Sequence, residues 1–242
     1  MCLIVFAYNL HSKYPFLLLA NRDEFYNRPT ESVHYWTDAP EIYAGRDLVG
    51  GGTWLGITRG GRFAAVTNYR EVGAKRGTFS RGNLVSDFLK SGASVTDYLE
   101  NVKSDSTKFS GFNLLVGTFS EETSELGYFS NREGKIKILD AGIYGLSNHL
   151  LDTPWQKVSK AKSDLSAILA SNRVIQPEHF FTLLQDKTPA RKQNLPDTGV
   201  GVEYEKILSP IFIETPVYGT RCSSVVLYDE TNGLTLTERT FH

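Results

Sequence analysis

The sequence predicts an α+β fold in which strands and helices form separate blocks along the chain. The order of the hydrophobic patterns is one reason. It runs strands, helices, strands, helices, strands, without the regular alternation of βαβ units. The composition is the other reason, because 40% hydrophobic and 12% aromatic residues among 242 suffice for a large core. No clear linker interrupts the pattern, so we expect a single domain over residues 1–242.

The first part of the chain is predicted to form strands. Continuous apolar runs at 2–8 (CLIVFAY) and 16–21 (FLLLAN) are typical of strands that are buried on both faces. The segment 53–69 (TWLGITRGGRFAAVTNY) contains two further runs on either side of Gly60–Gly61, which indicates a hairpin. A sheet assembled from such strands needs another layer to cover it.

Two short amphipathic helices are predicted next, at 80–92 and 94–102. Each starts at a serine that is a candidate cap, Ser80 or Ser94, and Gly92 is a candidate stop for the first helix. Strand patterns then return in four segments, at 112–119, 125–130, 135–139 and 142–148.

The strongest helix pattern in the chain covers 152–170. Asp152 or Thr153 is its candidate cap, Pro154 suits a first-turn position, and an apolar stripe follows. The remaining segments are predicted as a shorter helix at 177–185, a polar surface loop at 187–202, and a final hairpin of 219–229 with 233–241.

Charge and cysteine content exclude several classes of function. The net charge of −1 provides no basic excess for binding nucleic acid or an anionic membrane. The two cysteines, Cys2 and Cys222, form neither a disulfide framework nor a metal-ligand spacing, although a single bridge between them stays open. The apolar runs are too short to span a membrane and no signal peptide is evident. We therefore expect a cytoplasmic protein with no transmembrane segment and no metal.

A cysteine directly follows the initiator methionine. Cys2 could simply be a small buried hydrophobic residue, because free cysteine is among the most buried residue types. A second explanation starts from removal of Met1, which would leave Cys2 with a free α-amine beside its thiol. Such an amine has a pKa of about 7.7–8.0 and can act as a base. One residue would then supply both the nucleophile and the base.

Polar side chains at the ends of apolar strands provide further candidate catalytic residues. In ANRDEF, Arg22 and Asp23 could reach back to Cys2, where an arginine favours the thiolate and a carboxylate can hold the amine. In TNYR and GLSNHLLDTPW, Asn68 and Asn148 could each donate to a developing oxyanion. Both motifs are also compatible with ordinary turns.

Three candidate ligand-binding residues lie in or beside these segments. The glycines at 49–56 match no phosphate-binding pattern and lead into a strand, so we expect a tight turn in which Trp54 lines a groove. Tyr69 and His149 directly follow the two asparagines. Arg221 leads into a buried strand and must find an anionic partner or solvent, which either a structural ion pair or a site role would satisfy.

Seven segments of the chain resemble, in order, the family named for its Asn-Arg-Asp-Glu motif, also called the transport and Golgi organisation protein 2 family. They are MCLIVF, LLLANRDEFYNRPT, GGTWLGIT, AAVTNYR, SRGNLV, YGLSNHLLDTPWQKV and GTRCSSVVL. The resemblance implies an N-terminal nucleophile hydrolase-like fold, which is a four-layer αββα sandwich. It also implies a distant similarity to bile salt hydrolase and penicillin V acylase, which cut amide bonds with an N-terminal cysteine.

That similarity also implies a role for each candidate catalytic residue. Cys2 would be the nucleophile and its amine the base, Asn68 and Asn148 would bind the oxyanion or orient the amine, and Arg22 and Arg221 would tune the thiol. The spacing within the NRDE segment leaves open whether Asp23 or Glu24 supplies the carboxylate.

Three functions are consistent with the sequence. The first is hydrolysis of an amide or thioester bond in a small or lipid-like substrate by an N-terminal cysteine, with no cofactor required. The second is a haem- or lipid-binding carrier in haem trafficking, for which His149 is the only histidine within a motif. The third is a role in secretory or Golgi organisation. The family is linked to haem trafficking and to lipid or acyl-coenzyme A metabolism, so haem is a candidate ligand.

Overall fold

The computed structural model describes residues 2–74, 76–171 and 175–241. The described strands are β1 (Cys2–Tyr8), β2 (Phe16–Phe25), β3 (Thr30–Tyr35), β4 (Ile42–Asp47), β5 (Leu55–Thr58), β6 (Arg62–Asn68), β7 (Phe112–Phe119), β8 (Ser124–Ser130), β9 (Ile136–Ile138), β10 (Gly142–Leu146), β11 (Tyr218–Asp229) and β12 (Gly233–Thr240). The described α-helices are α1 (Arg81–Lys90), α2 (Val95–Ser104), α3 (Gln156–Ala170), α4 (Pro177–Leu184) and α5 (Val202–Ile207).

The strands form two antiparallel sheets. The first has five strands in the order β10-β1-β2-β11-β12. The second has seven strands that follow the chain order from β3 to β9. The first sheet therefore contains the first two strands, the last two strands and β10. It places the starts of β1 and β11 beside the end of β2.

Alternating side chains of the two sheets build three hydrophobic cores. Phe6 and Phe16 of the first sheet pack against Phe63 and Leu115 of the second. Helices α1 and α2 cover the outer face of the seven-stranded sheet, and α3 and α4 cover the outer face of the five-stranded sheet. The result is a four-layer αββα sandwich, which confirms the predicted fold class. It also explains why the apolar runs of β1 and β2 are continuous, since both faces of these strands are covered.

The helix ends differ in part from the prediction. Ser94 caps α2 as expected, because its hydroxyl accepts a hydrogen bond from the backbone N–H of Asp97 at 3.1 Å. Ser80 occupies the N-cap position of α1, but its side chain makes no cap hydrogen bond. The predicted cap of α3 at Asp152 or Thr153 is wrong, since α3 begins at Gln156 with Trp155 as N-cap.

Asp152 has a different role from the predicted one. It adopts a positive φ of 59° and accepts hydrogen bonds from the backbone of Gly145 and from Lys162. This turn directs the chain from β10 into α3.

Candidate active site

A row of polar residues crosses the five-stranded sheet at one end. Cys2 lies opposite Arg22, and Arg22 lies opposite Cys222 on its other side. The register of β1 with β10 pairs Ile4 with Leu146, and just past the end of β10 Ser147 donates a hydrogen bond to the Cys2 carbonyl oxygen at 3.0 Å. Residues opposite one another in antiparallel strands share a face. Cys2, Arg22 and Cys222 therefore lie on the same face as Ile4, Ala20 and Val226, which looks toward the second sheet.

The same register rules out a direct disulfide between the two cysteines. Cys2 and Cys222 are separated by the whole width of β2, which places their Cα atoms roughly 10 Å apart at ordinary strand spacing. A disulfide requires Cα atoms closer than about 7 Å. Both thiols are free.

An open cleft of about 570 Å³ lies at this end of the sandwich, between the two sheets. Six of the nine predicted site residues line it: Cys2, Arg22, Asp23, Trp54, Asn68 and Arg221. Segments from both sheets and the start of α1 complete the wall, including Arg28, Arg46, Asp47, Arg76, Arg81, Cys222 and Glu238. The sequence motifs that were separated along the chain therefore converge on one cavity.

Cys2 lies at the start of β1 with only 8% of its surface exposed. Burial raises the pKa of its thiol, and the nearby Arg22 opposes this effect. Burial raises the pKa of the Cys222 thiol well above its usual value, and the adjacent Glu238 raises it further. Both thiols are therefore protonated near neutral pH, so nucleophilic attack by Cys2 needs a base. The predicted base follows removal of Met1, which lies outside the described residues.

Asp23 fits the carboxylate role better than Glu24. The Asp23 side chain is 2% exposed, and its Oδ1 accepts a hydrogen bond from Thr220 Oγ1 at 2.7 Å. Burial raises the pKa of Asp23, whereas the positive charges of Lys157 and Arg22 lower it. Glu24 instead turns back on its own strand, where its Oε1 accepts the backbone N–H of Phe25 at 2.8 Å. Both residues line the cleft, and Asp23 is among the groups that influence the pKa of the Cys2 thiol.

The two asparagines occupy different positions. Asn68, at the end of β6, is partly exposed and lines the cleft. Asn148 is completely buried, and its Nδ2 donates to the backbone carbonyl oxygen of Asn68 at 3.0 Å. Its own carbonyl oxygen accepts the backbone N–H of Arg70 at 2.7 Å. Asn148 thus fastens the end of β6 through the backbone of Asn68, and Asn68 is the member of the pair that lines the cavity.

Tyr69 and His149 pair with each other, and neither belongs to the described cleft lining. The Tyr69 hydroxyl lies 2.8 Å from Nε2 of His149, and Thr153 Oγ1 lies 2.8 Å from its Nδ1. Thr153 also donates to the Leu150 carbonyl oxygen, so Nδ1 is the protonated nitrogen and Nε2 accepts from Tyr69. Burial lowers the pKa of His149, which favours this neutral form.

Arg221 lines the cleft but directs its guanidinium toward backbone oxygens. It sits at an irregularity in the pairing of β11 with β2. Its Nη1 donates to the carbonyl oxygens of Phe25 and Arg28 at 3.0 and 2.8 Å, and its Nη2 donates to Thr30 Oγ1 at 3.1 Å. These bonds fasten the turn between β2 and β3 to the cleft wall. Arg221 therefore has a structural role, in addition to any effect on the pKa of the Cys2 thiol.

Two charged residues near Cys2 were missed in the sequence. Arg81 is the first residue of α1, lines the cleft, and contributes to the electrostatic environment of Cys2. Lys157 lies on α3 and is only 5% exposed. A signal for Lys157 was present, because it continues the stripe of Ala161 and Leu165 by one helical turn. A lysine on an apolar stripe indicates a buried ammonium that must have partners.

The sequence is similar to those of known proteins along its whole length. A family model described as Transport and Golgi organisation 2 matches residues 1–242. The chain belongs to this family. The Transport and Golgi organization protein 2 homolog of Bos taurus is 34% identical over 255 residues, which cover 99% of this chain and 92% of the bovine protein. Transport and Golgi organization protein 2 of Drosophila melanogaster is 30% identical, again over 99% and 92% of the two chains.

A solved structure supports the fold independently of sequence. The N-acylethanolamine-hydrolyzing acid amidase ortholog of Caenorhabditis elegans superimposes with a TM-score of 0.56 at 11% sequence identity, covering 100% of both chains. The similarity places this family member in the N-terminal nucleophile hydrolase fold. Within the residues that the structure describes, no group of three or more His, Cys, Asp or Glu side chains could hold a metal ion. In the same residues no helix is long and apolar enough to cross a membrane.

Proposed function

We propose that this protein is a cysteine-dependent acyl hydrolase that cleaves an amide or thioester bond in a small or lipid-like substrate. One observation supports the proposal above all others. In an N-terminal nucleophile hydrolase fold, the first strand opens with a cysteine on the wall of the inter-sheet cleft, beside a buried aspartate and a partly exposed asparagine. Candidates for the nucleophile, the amine anchor and the oxyanion donor thus line the same cleft, which supports the proposal.

In the proposed reaction, removal of Met1 frees the α-amine of Cys2. The amine takes the thiol proton, and the sulfur attacks the substrate carbonyl. Asn68 donates a hydrogen bond to the oxyanion, and Asp23 holds the protonated amine. The amine then returns its proton to the leaving nitrogen or sulfur, and a water molecule hydrolyses the acyl-enzyme with the same amine as base.

The decisive experiment combines intact mass with a Cys2 variant. Purified untagged protein should lack one methionine and should hydrolyse simple acyl thioesters or amides. Cys2→Ala should reduce hydrolysis to the uncatalysed rate, because the nucleophile is gone. Cys222→Ala is the matched control and should retain turnover, since the proposed reaction does not use that thiol. Undiminished turnover in Cys2→Ala, or in protein that retains Met1, would contradict the proposed mechanism.

The haem-carrier and secretory alternatives stay predictions. His149 gives the haem alternative no support, because both of its ring nitrogens already make hydrogen bonds at 2.8 Å. Haem titration of the wild-type protein and of His149→Ala, followed by the Soret band, tests this alternative directly. Stoichiometric binding that His149→Ala abolishes would favour the carrier.

A further inference from the structure

Strand β11 contains one extra residue where it passes the candidate site. Cys222 lies opposite Arg22. A regular register would continue with Arg221 opposite Asp23, but the pairing shifts by one residue and Thr220 takes that place. Such β-bulges bend a strand and re-aim its side chains, and they are frequent beside active sites. The bulge therefore places a threonine, and not an arginine, opposite the buried carboxyl.

The Thr220 side chain is fixed by hydrogen bonds on both sides. Its Oγ1 accepts the backbone N–H of Ile213 at 2.9 Å and donates its own proton to Oδ1 of Asp23 at 2.7 Å. The backbone N–H of Thr220 donates to the Ile213 carbonyl oxygen at 2.8 Å. Thr220 has no exposed surface. The threonine is thus held in one orientation, and its hydroxyl holds one oxygen of the Asp23 carboxyl.

This hydrogen bond bears on the ionisation of Asp23 as well as on its position. Asp23 is 2% exposed, and burial raises the pKa of its carboxyl. The Thr220 hydrogen bond opposes that rise, together with nearby positive charges, because a donor stabilises the charged form. Tyr218 of the same strand donates to the backbone carbonyl oxygen of Asp23 at 3.1 Å. Strand β11 therefore fixes both the backbone and the side chain of Asp23.

We propose that Thr220 is a positioning residue of the Cys2 site: its hydroxyl holds the buried Asp23 carboxylate in the orientation that anchors the α-amine of Cys2. This inference rests on the proposed function for its catalytic consequence. Its first part concerns only the hydrogen bond between Thr220 and Asp23 and can be measured without turnover. The bulge at Arg221 makes this contact possible, because a regular register would place Thr220 opposite Glu24.

The test measures the ionisation of Asp23 in the full chain, with and without the Thr220 hydroxyl. Protein labelled with ¹³C at the aspartate carboxyl carbons is titrated by NMR, and Asp23→Asn identifies the Asp23 signal. Thr220→Val removes the hydroxyl and keeps the branched shape of the side chain. Its Asp23 carboxyl should titrate about one unit higher than in the wild type, because two or three such hydrogen bonds lower the pKa of a carboxyl by about two units.

Two further variants separate the hydroxyl from the packing around it. Thr220→Ser keeps the donor and should titrate like the wild type. Thr58→Val is the matched control, because Thr58 is also buried in a strand and its Oγ1 accepts the backbone N–H of Arg62 at 3.1 Å. It should leave the Asp23 titration unchanged. The titratable and charged side chains that act on Asp23 from neighbouring elements are the same in all three variants: Cys2 of β1, Arg22 of β2, Arg70 just beyond β6, Lys157 of α3 and Tyr218 of β11.

Kinetics provide the second readout. Thr220→Val should lower kcat by roughly 10-fold to 10²-fold with a smaller change in KM, because the amine loses its orientation while the substrate keeps its binding site. Thr220→Ser should restore kcat. The value of kcat is referred to the folded fraction from thermal unfolding, so that lost stability is not counted as lost catalysis.

Three results would overturn the inference. The first is an Asp23 carboxyl that titrates at the same pH in the wild type and in Thr220→Val. The second is an equal shift in Thr220→Ser, which would assign the effect to packing. The third is a wild-type Asp23 that is protonated near neutral pH, which needs no variant to observe. If Thr220→Val does not fold, Thr220→Ala replaces it in the same comparison.

The two proposals fail in different ways. A shifted Asp23 titration with an unchanged kcat in Thr220→Val would overturn the catalytic role of Thr220. Absent turnover in the wild type would overturn the proposed function, and the NMR titration would still decide whether Thr220 holds the Asp23 carboxylate.

Discussion

Asn68 and Asn148 share one hydrogen bond, and that bond assigns them different tasks. Nδ2 of Asn148 donates to the carbonyl oxygen of Asn68 at 3.0 Å, and Asn148 is completely buried. Asn68 belongs to the cleft wall. We therefore expect Asn68 to act on the substrate and Asn148 to act on Asn68.

Alanine substitutions should separate these tasks. Asn68→Ala should lower kcat by roughly 10²–10³, the usual cost of removing an oxyanion donor, with a smaller change in KM and an unchanged melting temperature. Asn148→Ala should lower kcat and also destabilise the protein by about 1–3 kcal/mol, because a buried carbonyl oxygen loses its donor. Turnover and thermal unfolding of both variants are the measurements. An Asn148→Ala protein with normal stability and a catalytic defect alone would return Asn148 to the direct oxyanion role.

At the scale of elements, the glycine stretch before β5 sets the position of α1. Gly52 packs so closely on Gly82, the second residue of α1, that a Cβ on Gly52 would lie 2.5 Å from the backbone carbonyl carbon of Gly82. The backbone N–H of Thr53 reaches the Gly82 carbonyl oxygen at 3.4 Å. Arg81 stands directly beside this contact and lines the cleft. The close approach thus holds the start of α1 against the site.

Gly52→Ala should therefore lower both the stability of the protein and its turnover. The added methyl group meets backbone atoms, which cannot move aside as a side chain can, so we expect a destabilisation of about 1–3 kcal/mol and lower turnover as Arg81 shifts. Gly92→Ala is the control, because a Cβ there meets nothing within 4 Å. Urea unfolding of the two variants provides the comparison. Equal stability of the two would show that α1 accommodates the methyl group.

At the scale of the whole molecule, the strands and helices could be predicted from the sequence where the hydrophobic pattern is strong. Strands β1 and β2 follow from continuous apolar runs because both of their faces are covered. Strands β3 and β4 were not predicted, because β3 is an edge strand with mostly polar, partly exposed residues and an irregular register. The six-residue helix α5 was also missed, since it is too short for a periodic signal.

The site was predictable only in part, for a related reason. Cys2, Arg22 and Asp23 stand at strand ends, where polar residues are conspicuous. Lys157 and Arg81 belong to helices, where a charged residue is normally assigned to the solvent face. The apolar stripe of α3 indicates that Lys157 is buried. The position of Arg81 at the cleft depends on how α1 packs against the second sheet, which no local pattern encodes.

The charged residues that line the cleft come from segments far apart in the sequence, so the charge of the cleft is set by the whole fold. Six arginines line it: Arg22, Arg28, Arg46, Arg76, Arg81 and Arg221. Arg28 and Arg46 form ion pairs with Asp47 and Asp38 at 2.8 and 2.6 Å. Among the described residues, Arg22, Arg76 and Arg81 form no ion pair with an acidic side chain. Five acidic residues also line the cleft, namely Asp23, Glu24, Glu31, Asp47 and Glu238. The positive charge available to a ligand therefore comes from Arg22, Arg76 and Arg81.

This charge predicts a preference for substrates that carry a negative group. A thioester with a carboxylate on its leaving group, S-hexanoyl-thioglycolate, should be hydrolysed with a higher kcat/KM than the neutral S-hexanoyl-N-acetylcysteamine. Arg76→Gln should reduce that preference about fivefold, which corresponds to the ~1 kcal/mol between unit charges about 4 Å apart in water. Arg191→Gln, an exposed arginine outside the described cleft lining, should leave it unchanged. Added salt should weaken the preference in the wild type, because the cleft is open to solvent. Equal kcat/KM values for the two thioesters at low salt would show that the arginines serve the architecture of the cleft and do not select the substrate.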